Sequence, residues 1–159
     1  MMVNIKDVLS YDPRTGEFRW KVCRKGCRVG DIVGSKRHDG YIKIGVGYSN
    51  IFAHRLAWWF VHGVWPNKNI DHIDGNPSNN RIANLRLATQ SQNLMNSEKR
   101  KDNTSGIRGV SRYRNKWQAK IWVNGNCLWL GCFDTIEEAA KKYKVASELL
   151  HGQYARTEA

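Results

Sequence analysis

Apolar and polar residues alternate most regularly near the C-terminus. Residues 117–123, WQAKIWV, follow the two-residue period of a strand that is buried on one face. Asn124-Gly125, a preferred pair for a two-residue hairpin turn, comes next and predicts that residues 126–131 return as a second strand. Residues 109–113 can add another strand upstream. The pattern therefore predicts a three-stranded antiparallel sheet.

A helix is predicted directly after this sheet. Its apolar residues recur at helical spacing, at Ile136, Ala139, Ala140, Tyr143 and Ala146. Asp134 or Thr135 can cap its N-terminus, where the acidic side chains of Glu137 and Glu138 suit the helix dipole. Strand alternation predicts that one face of the sheet, with Trp117, Ala119, Ile121 and Val123, packs on this helix. Gln118, Lys120 and Trp122 then face outward.

The N-terminal part of the chain mixes helix and strand signals. An apolar signal in residues 5–9 predicts a short helix, and alternation in residues 17–22 and 41–46 predicts strands. Residues 53–63, AHRLAWWFVHG, form a compact apolar run that predicts a helix ending at its final glycine. His54, near the start of that helix, is interpreted as a structural histidine and not as a catalytic one.

These patterns predict an α+β protein with two domains. The N-terminal domain spans residues 1–97 and the C-terminal domain spans residues 107–159. Residues 98–106, between them, are polar and lack an apolar anchor, which predicts a linker.

Composition narrows the setting in which the protein works. The 159 residues are 41% hydrophobic and 25% charged, with a mean hydropathy of −0.61, as in soluble proteins. We expect a cytoplasmic location, because no apolar run has transmembrane length and the N-terminus lacks a signal-peptide pattern. The four cysteines lack CxxC spacing and are expected to be reduced thiols. The alternative is a zinc site built from Cys23, Cys27 and a neighbour such as His38.

Charge points to the class of partner. The chain carries 26 Lys and Arg against 14 Asp and Glu, for a net charge of +12. The excess is shared, with +7 on residues 1–97 and +4 on residues 104–159. A strongly basic chain favours a polyanion, so both parts are expected to contact nucleic acid and no membrane partner is expected.

The candidate chemistry lies in residues 69–96. Asp71-His72 closes a short apolar approach, and Asn84 and Asn93 follow His72 by 12 and 21 positions. A neutral imidazole can take a proton from an attacking water. Oxygen ligands from Asp71 and Asn93 suit Mg²⁺ or Mn²⁺, which can neutralise charge on a phosphodiester. The arrangement predicts a one-metal phosphodiesterase site.

A second amide is expected to orient the catalytic imidazole. Asn84 is the predicted partner that fixes the ring and tautomer of His72, and Asn80 is the competing candidate for that role. The whole stretch also has a simpler interpretation as a surface loop, because Asn and Asp favour turns.

The segment DHIDGN…NNRIANLRLAT…QN…N resembles the HNH nuclease motif, a ββα-metal finger. It is similar to the variant in phage and intron-encoded homing endonucleases, in which asparagine replaces the last histidine. The resemblance covers residues 10–97 and implies that His72 is the general base, Asp71 and Asn93 hold the metal, and Asn84 orients His72. It also implies 5′-phosphate and 3′-hydroxyl products. The missing histidine favours labile Mg²⁺ or Mn²⁺ over tight Zn²⁺.

Residues 106–152 resemble the plant Apetala and ethylene-response-factor DNA-binding domain. The resemblance rests on RGV, the WLGxF strand end and the TxEEAAxxY helix, in that order. In that family a three-stranded sheet lies in the major groove with the helix behind it. The implied DNA-binding residues are Arg108, Arg112, Arg114, Lys116, Gln118, Lys120 and Trp122. Lys120 and Trp122 replace the usual acidic and arginine residues of the family, so its base preference does not carry over.

Together these features predict a sequence-directed DNA endonuclease of the phage homing or nicking type. Its partner is double-stranded DNA, and a phage-encoded copy would act in the host cytoplasm. One site in each chain favours a monomer that nicks a single strand. Two alternatives stay open, a non-catalytic DNA-binding regulator with a structural finger and a nuclease that acts on RNA.

Overall fold

The computed structural model of the protein describes residues 4–24, 26–96 and 103–155. Contacts divide the chain into two compact units, Met1–Ala88 and Thr89–Ala159. Each unit combines helices with small antiparallel sheets, so the predicted α+β class is confirmed. The predicted domain boundary after residue 97 and the linker over 98–106 stay predictions. The first part of that linker, up to residue 102, lies outside the described residues.

The first unit opens with two small antiparallel sheets. Its elements before the long helix are α1 (Ile5–Val8), β1 (Leu9–Tyr11), β2 (Phe18–Trp20), β3 (Ile32–Val33), β4 (Ser35–Lys36), β5 (Ile42–Val46) and β6 (Ser49–Phe52). Strands β1, β2 and β3 form one sheet in that order, and β4, β5 and β6 form the other. The strand predicted over residues 17–22 is shorter, because the backbone of Lys21 already belongs to a bend.

Helix α2 (Ala53–His62) covers these sheets. Its buried Leu56 packs in one core with Phe18 of β2 and Ile44 of β5. Gly63 ends the helix in the left-handed conformation, with φ of 73°, as the sequence predicts. Both the start and the end of this helix are therefore confirmed.

A hairpin completes the first unit. It pairs β7 (Asn69–His72) with β8 (Leu85–Ala88) in antiparallel register, so that Asp71 lies opposite Arg86 and His72 opposite Leu85. The long loop between the two strands is closed at its base, where the Ile73 amide donates to the carbonyl of Asn84 over 2.9 Å. This closure places both ends of the loop beside His72.

The second unit begins with the short helix α3 (Gln90–Met95). The remaining elements are β9 (Val110–Tyr113), β10 (Lys116–Val123), β11 (Asn126–Phe133) and α4 (Ile136–His151). The three strands form an antiparallel sheet with β10 in the centre, and α4 packs on it through Ala139 and Tyr143. The predicted sheet and helix are confirmed.

Local sequence accounts for the boundaries of this unit. Asn124 and Gly125 have φ angles of 50° and 83°, the two positive values that a type I′ turn requires. Thr135 caps α4 in a capping box with Glu138, and Thr89 caps α3 in the same way with Gln92.

Candidate functional site

Asp71 lies inside the hairpin of the first unit and is held by an arginine. The residue is 4% exposed, although an isolated buried carboxylate would be strongly disfavoured. Arg86, directly across the hairpin, brings Nε to 2.7 Å and Nη2 to 2.6 Å from Asp71 Oδ2. A cation that bound Asp71 would therefore compete with the guanidinium for Oδ2.

His72 is the last residue of β7 and is 5% exposed. Burial lowers its pKa, because charging the ring would require a desolvated cation. The neutral ring is the form that can accept a proton. Its Nε2 lies 3.4 Å from Asn80 Oδ1, and since an amide oxygen only accepts, this contact is a hydrogen bond when Nε2 carries the proton. Nδ1 is then the nitrogen with the lone pair.

The amide that contacts His72 is that of Asn80, the competing candidate for the orienting role. Asn80 is 2% exposed. Its side-chain Nδ2 donates to the Ser78 carbonyl over 3.2 Å, and its backbone carbonyl accepts from the Tyr11 hydroxyl over 2.8 Å. These contacts fix the amide that faces the imidazole. A buried asparagine with both ends bonded is a signal that the sequence alone does not carry.

Asn84 organises the loop instead. Its Nδ2 donates to Asp74 Oδ1 and to the Asn79 carbonyl, each over 2.9 Å, and its Oδ1 accepts from the Asp74 amide over 3.0 Å. The predicted orienting role of Asn84 stays a prediction. Any influence on His72 would act through the shape of the loop, which Asn84 closes.

Aromatic residues surround the outer side of His72. The rings of Tyr41 and His54 lie edge-on to it, at centroid distances of 5.8 and 5.2 Å. His54 also stacks on Phe52, at 5.4 Å and an interplanar angle of 21°. These neighbours were not predicted as part of the site, because Tyr41 directly precedes β5, Phe52 ends β6 and His54 lies in α2, all far from His72 in sequence.

His54 is a buried histidine with an unusual electrostatic state. Its Nδ1 is buried and makes no hydrogen bond within the described part of the chain. Burial, together with the nearby His72 and Arg55, lowers the pKa of His54 to about 3. The ring is therefore neutral and serves as an aromatic wall for His72, in keeping with the structural role that its position predicts.

Asn93 lies in α3 and so belongs to the second unit. It is partly buried, and its backbone amide donates to the Thr89 carbonyl over 2.9 Å. The end of this helix is bound by Arg108, whose guanidinium donates to the carbonyls of Leu94 and Met95 over 2.6 and 2.7 Å. Arg108, predicted to contact DNA, thus also holds the helix that carries Asn93.

The donor chemistry fits a hard divalent cation. Asp71 offers carboxylate oxygen and Asn93 offers amide oxygen, both of which suit Mg²⁺ or Mn²⁺. Across the described ranges, no group of three or more His, Cys, Asp and Glu side chains is placed to hold a metal ion. That finding covers Cys23, Cys27 and His38, and all four cysteines are free thiols.

The outer face of the second-unit sheet combines aromatic and polar side chains. Residues directly opposite each other in a sheet share a face, which assigns Trp129 to the side of Lys120 and Tyr113 to the side of Lys116. We call the surface formed by Tyr113, Gln118, Lys120, Trp122 and Trp129 the outer sheet face. Trp122 is 63% and Trp129 57% exposed, so this face presents two large aromatic side chains to solvent.

The strand register and the turn place the other predicted DNA-binding residues at different positions around the sheet. Arg112 pairs with Trp117 and lies over its ring at 5.4 Å, so it is on the helix side of the sheet. Arg114, in the turn with φ of 53°, lies over Tyr113. Lys116 pairs with the exposed Asp134 at 2.9 Å, and this hydrogen bond raises its pKa. The sequence did not assign Trp129 and Tyr113 to the outer sheet face, because strand pairing is not visible in it.

Comparison with known proteins places these features in a family. Residues 52–95, which contain Asp71, His72, Asn84 and Asn93, match the HNH endonuclease family. Protein 3.8 of Escherichia phage T7 is 39% identical over 106 residues, which are 65% of this chain and 87% of that protein. The chain belongs to the HNH endonuclease family. An HNH endonuclease of Acanthamoeba polyphaga mimivirus is 38% identical over 86 residues, 54% of this chain and 44% of that protein.

A third relative concerns a different function. An ethylene-responsive transcription factor of Arabidopsis thaliana is 39% identical over 72 residues, 43% of this chain. The match covers 28% of the plant protein, so it is a partial likeness. Separately, none of the helices in the described residues has the length and apolar character needed to cross a membrane.

Proposed function

We propose that this HNH family member is a sequence-directed DNA endonuclease, of the phage homing or nicking type, that hydrolyses a phosphodiester with His72 as general base. The observation that carries the proposal is the neutral, buried imidazole of His72, held by Asn80 next to the carboxylate of Asp71. A base and a charged oxygen donor on adjacent residues are the two groups that such a hydrolysis needs.

His72 supplies the proton transfer. Its ring is kept neutral by burial, so it can accept the proton of an attacking water as the nucleophile forms. The contact with Asn80 Oδ1 selects the tautomer with the lone pair on Nδ1. The aromatic wall formed by Tyr41, Phe52 and His54 limits the positions that the ring can take.

Asp71 and Asn93 are the proposed metal ligands, since they occupy the family positions and offer oxygen atoms. A divalent cation, when bound, would neutralise charge on the scissile phosphate and on the leaving oxygen. Arg86 already contacts Asp71 Oδ2, so a cation bound there would have to share that oxygen with the guanidinium or displace it.

The second unit is proposed to bind duplex DNA through the outer sheet face. Support comes from the exposed Trp122 and Trp129 beside Lys120 and from the partial likeness to a plant transcription factor. Lysine can hold phosphates or guanine edges, and tryptophan can pack on sugars or thymine methyl groups. The net charge of +12 adds a sequence-independent attraction to the DNA backbone.

A non-catalytic DNA-binding regulator is the second candidate function. The buried pair of Asp71 and Arg86 favours it, because a carboxylate that is already paired can serve the hairpin alone. The two candidates differ in a direct way, since only the endonuclease breaks the DNA backbone.

The test uses supercoiled plasmid DNA with purified full-length protein. Nicking is expected with Mg²⁺ or Mn²⁺ and should stop with EDTA, and structured RNA should compete less well than duplex DNA. Replacement of His72 by alanine should slow nicking by ~10²–10⁴-fold, as expected for the loss of a general base, with DNA affinity nearly unchanged. His62→Ala, at an exposed histidine of α2, is the matched control. Nicking by His72→Ala at the rate of the control would exclude His72 as the base.

A further inference from the structure

We propose that Tyr41 is a further catalytic residue, whose hydroxyl donates a hydrogen bond to a non-bridging oxygen of the phosphodiester cleaved beside His72. The inference rests on the proposed function and adds a substrate-contacting donor to it. Tyr41 directly precedes β5 and lies outside residues 52–95, which match the family.

The ring of Tyr41 is fixed in the aromatic wall. Its ring centroid lies 5.8 Å from that of His72 and 5.7 Å from that of Phe52 in edge contacts, and 5.4 Å from that of His54 in a tilted contact. A side chain packed against three rings has few other rotamers to adopt. Its hydroxyl is therefore pre-positioned, and a substrate contact would not first have to order the side chain.

The backbone of Tyr41 is tied to the loop that carries the site. Ser78 Oγ donates to the Gly40 carbonyl over 2.7 Å, and a Cβ on Gly40 would come within 2.7 Å of Pro77 Cγ. Gly40 also has a positive φ of 84°, which suits glycine. The Asn76–Asn80 part of the loop and the Tyr41 turn are thus held against each other, with His72 contacting residues on both.

The hydroxyl is free to meet a substrate. Tyr41 is only partly buried, and among the described residues no hydrogen bond to its hydroxyl is found. Tyr11 differs, because its hydroxyl is used to hold the Asn80 carbonyl. A polar group on a packed, partly exposed ring that contacts the proposed base is suited to binding a charged ligand.

The hydroxyl acts as a donor and not as a base. Partial burial raises the pKa of Tyr41, and the negative charges of Asp39 and Asp71 raise it further. The phenol therefore keeps its proton through neutral and mildly alkaline pH. Its hydrogen bond would strengthen as negative charge grows on the phosphate oxygens, which lowers the barrier more than it stabilises bound substrate. No bond to Tyr41 forms or breaks.

The experiment compares Tyr41→Phe and Tyr41→Ala with the parent in plasmid nicking at a fixed Mg²⁺ concentration. The phenylalanine variant keeps the ring contacts and removes only the hydroxyl. We expect kcat to fall about 10²-fold in both variants, the size of effect seen when one preorganised donor is lost, with KM and plasmid affinity little changed. Tyr48→Phe, at a fully exposed tyrosine, is the matched control and should nick like the parent.

Three results would overturn the inference. If Tyr41→Phe keeps the kcat of the parent and only Tyr41→Ala loses it, the ring packs and the hydroxyl has no catalytic role. If Tyr41→Phe raises KM at constant kcat, the hydroxyl binds substrate without assisting the reaction. If the parent itself does not nick with Mg²⁺ or Mn²⁺, the proposed function is refuted and the role of Tyr41 falls with it. Thermal unfolding of each variant checks that the fold is intact.

Discussion

The buried, neutral state of His54 predicts that the first unit loses stability in mild acid. The ring has a pKa of about 3 when folded, against an ordinary value of 6.5. Below pH 6.5 the unfolded chain therefore binds a proton that the folded chain does not, and stability falls as the pH drops from neutral towards 3. Replacement of His54 by phenylalanine should remove this acid-dependent loss of stability while keeping an aromatic ring against His72.

The magnitude follows from the two pKa values. A pH of 5 lies about 1.5 units below the ordinary pKa of histidine, so His54 is almost fully protonated in the unfolded chain. In the folded chain, where its pKa is about 3, His54 stays neutral at that pH. With 1.36 kcal/mol for each unit, the parent should lose about 2 kcal/mol more than His54→Phe between pH 7.5 and pH 5. The variant should also gain some stability at neutral pH, since it no longer buries the unpaired Nδ1.

The assay must report on the first unit alone, because the two units need not unfold together. Hydrogen exchange of peptides from α2, measured in increasing urea at both pH values, gives that stability directly. His38→Gln, at a histidine that is exposed in the folded chain, is the matched control for the loss of a histidine. Equal losses for the parent and His54→Phe between the two pH values would refute a buried, neutral His54.

Two further predictions address the metal and the DNA surface. Asp71→Ala and Asn93→Ala should raise the Mg²⁺ concentration needed for half-maximal nicking, more for Asp71 because it brings the only ligand charge; matching titrations for both variants and the parent would remove them as ligands. Lys120→Ala should weaken duplex binding by ~1–3 kcal/mol if it reads a base edge, or lower the salt slope by about 1 if it holds a phosphate. Arg112→Ala, on the helix side, should have the smaller effect in the same binding assay, and the reverse order would contradict the outer sheet face as the DNA contact.

Local sequence accounts for most of the fold because each boundary depends on residues close to it. The turn at Asn124-Gly125, the cap at Thr135 and the stop at Gly63 all appear where predicted. Strand alternation also separated the buried Ala119 and Ile121 from the exposed Trp122. A turn, a cap or an alternating strand is decided within a few positions by backbone freedom, hydrogen bonding and burial.

The pairing of residues across the site was decided only by tertiary structure. Asp71 and His72 could be identified from their spacing to later asparagines. The contact of His72 with Asn80 could not be predicted in this way, because it depends on how the loop closes. Tyr41 reaches His72 only because its turn is tied to that loop.

The same limit applies to the second unit. Composition and the order of motifs identified a basic sheet, but they did not show that Arg112 lies opposite Trp117 or that Trp129 lies opposite Lys120. Their faces depend on which residues lie opposite, and a bulge between Ala119 and Lys120 shifts that register within the hairpin. A one-residue shift moves a side chain to the other face of a sheet. The sequence by itself thus determined the elements and the candidate chemistry, whereas strand register and loop closure decided which side chains meet.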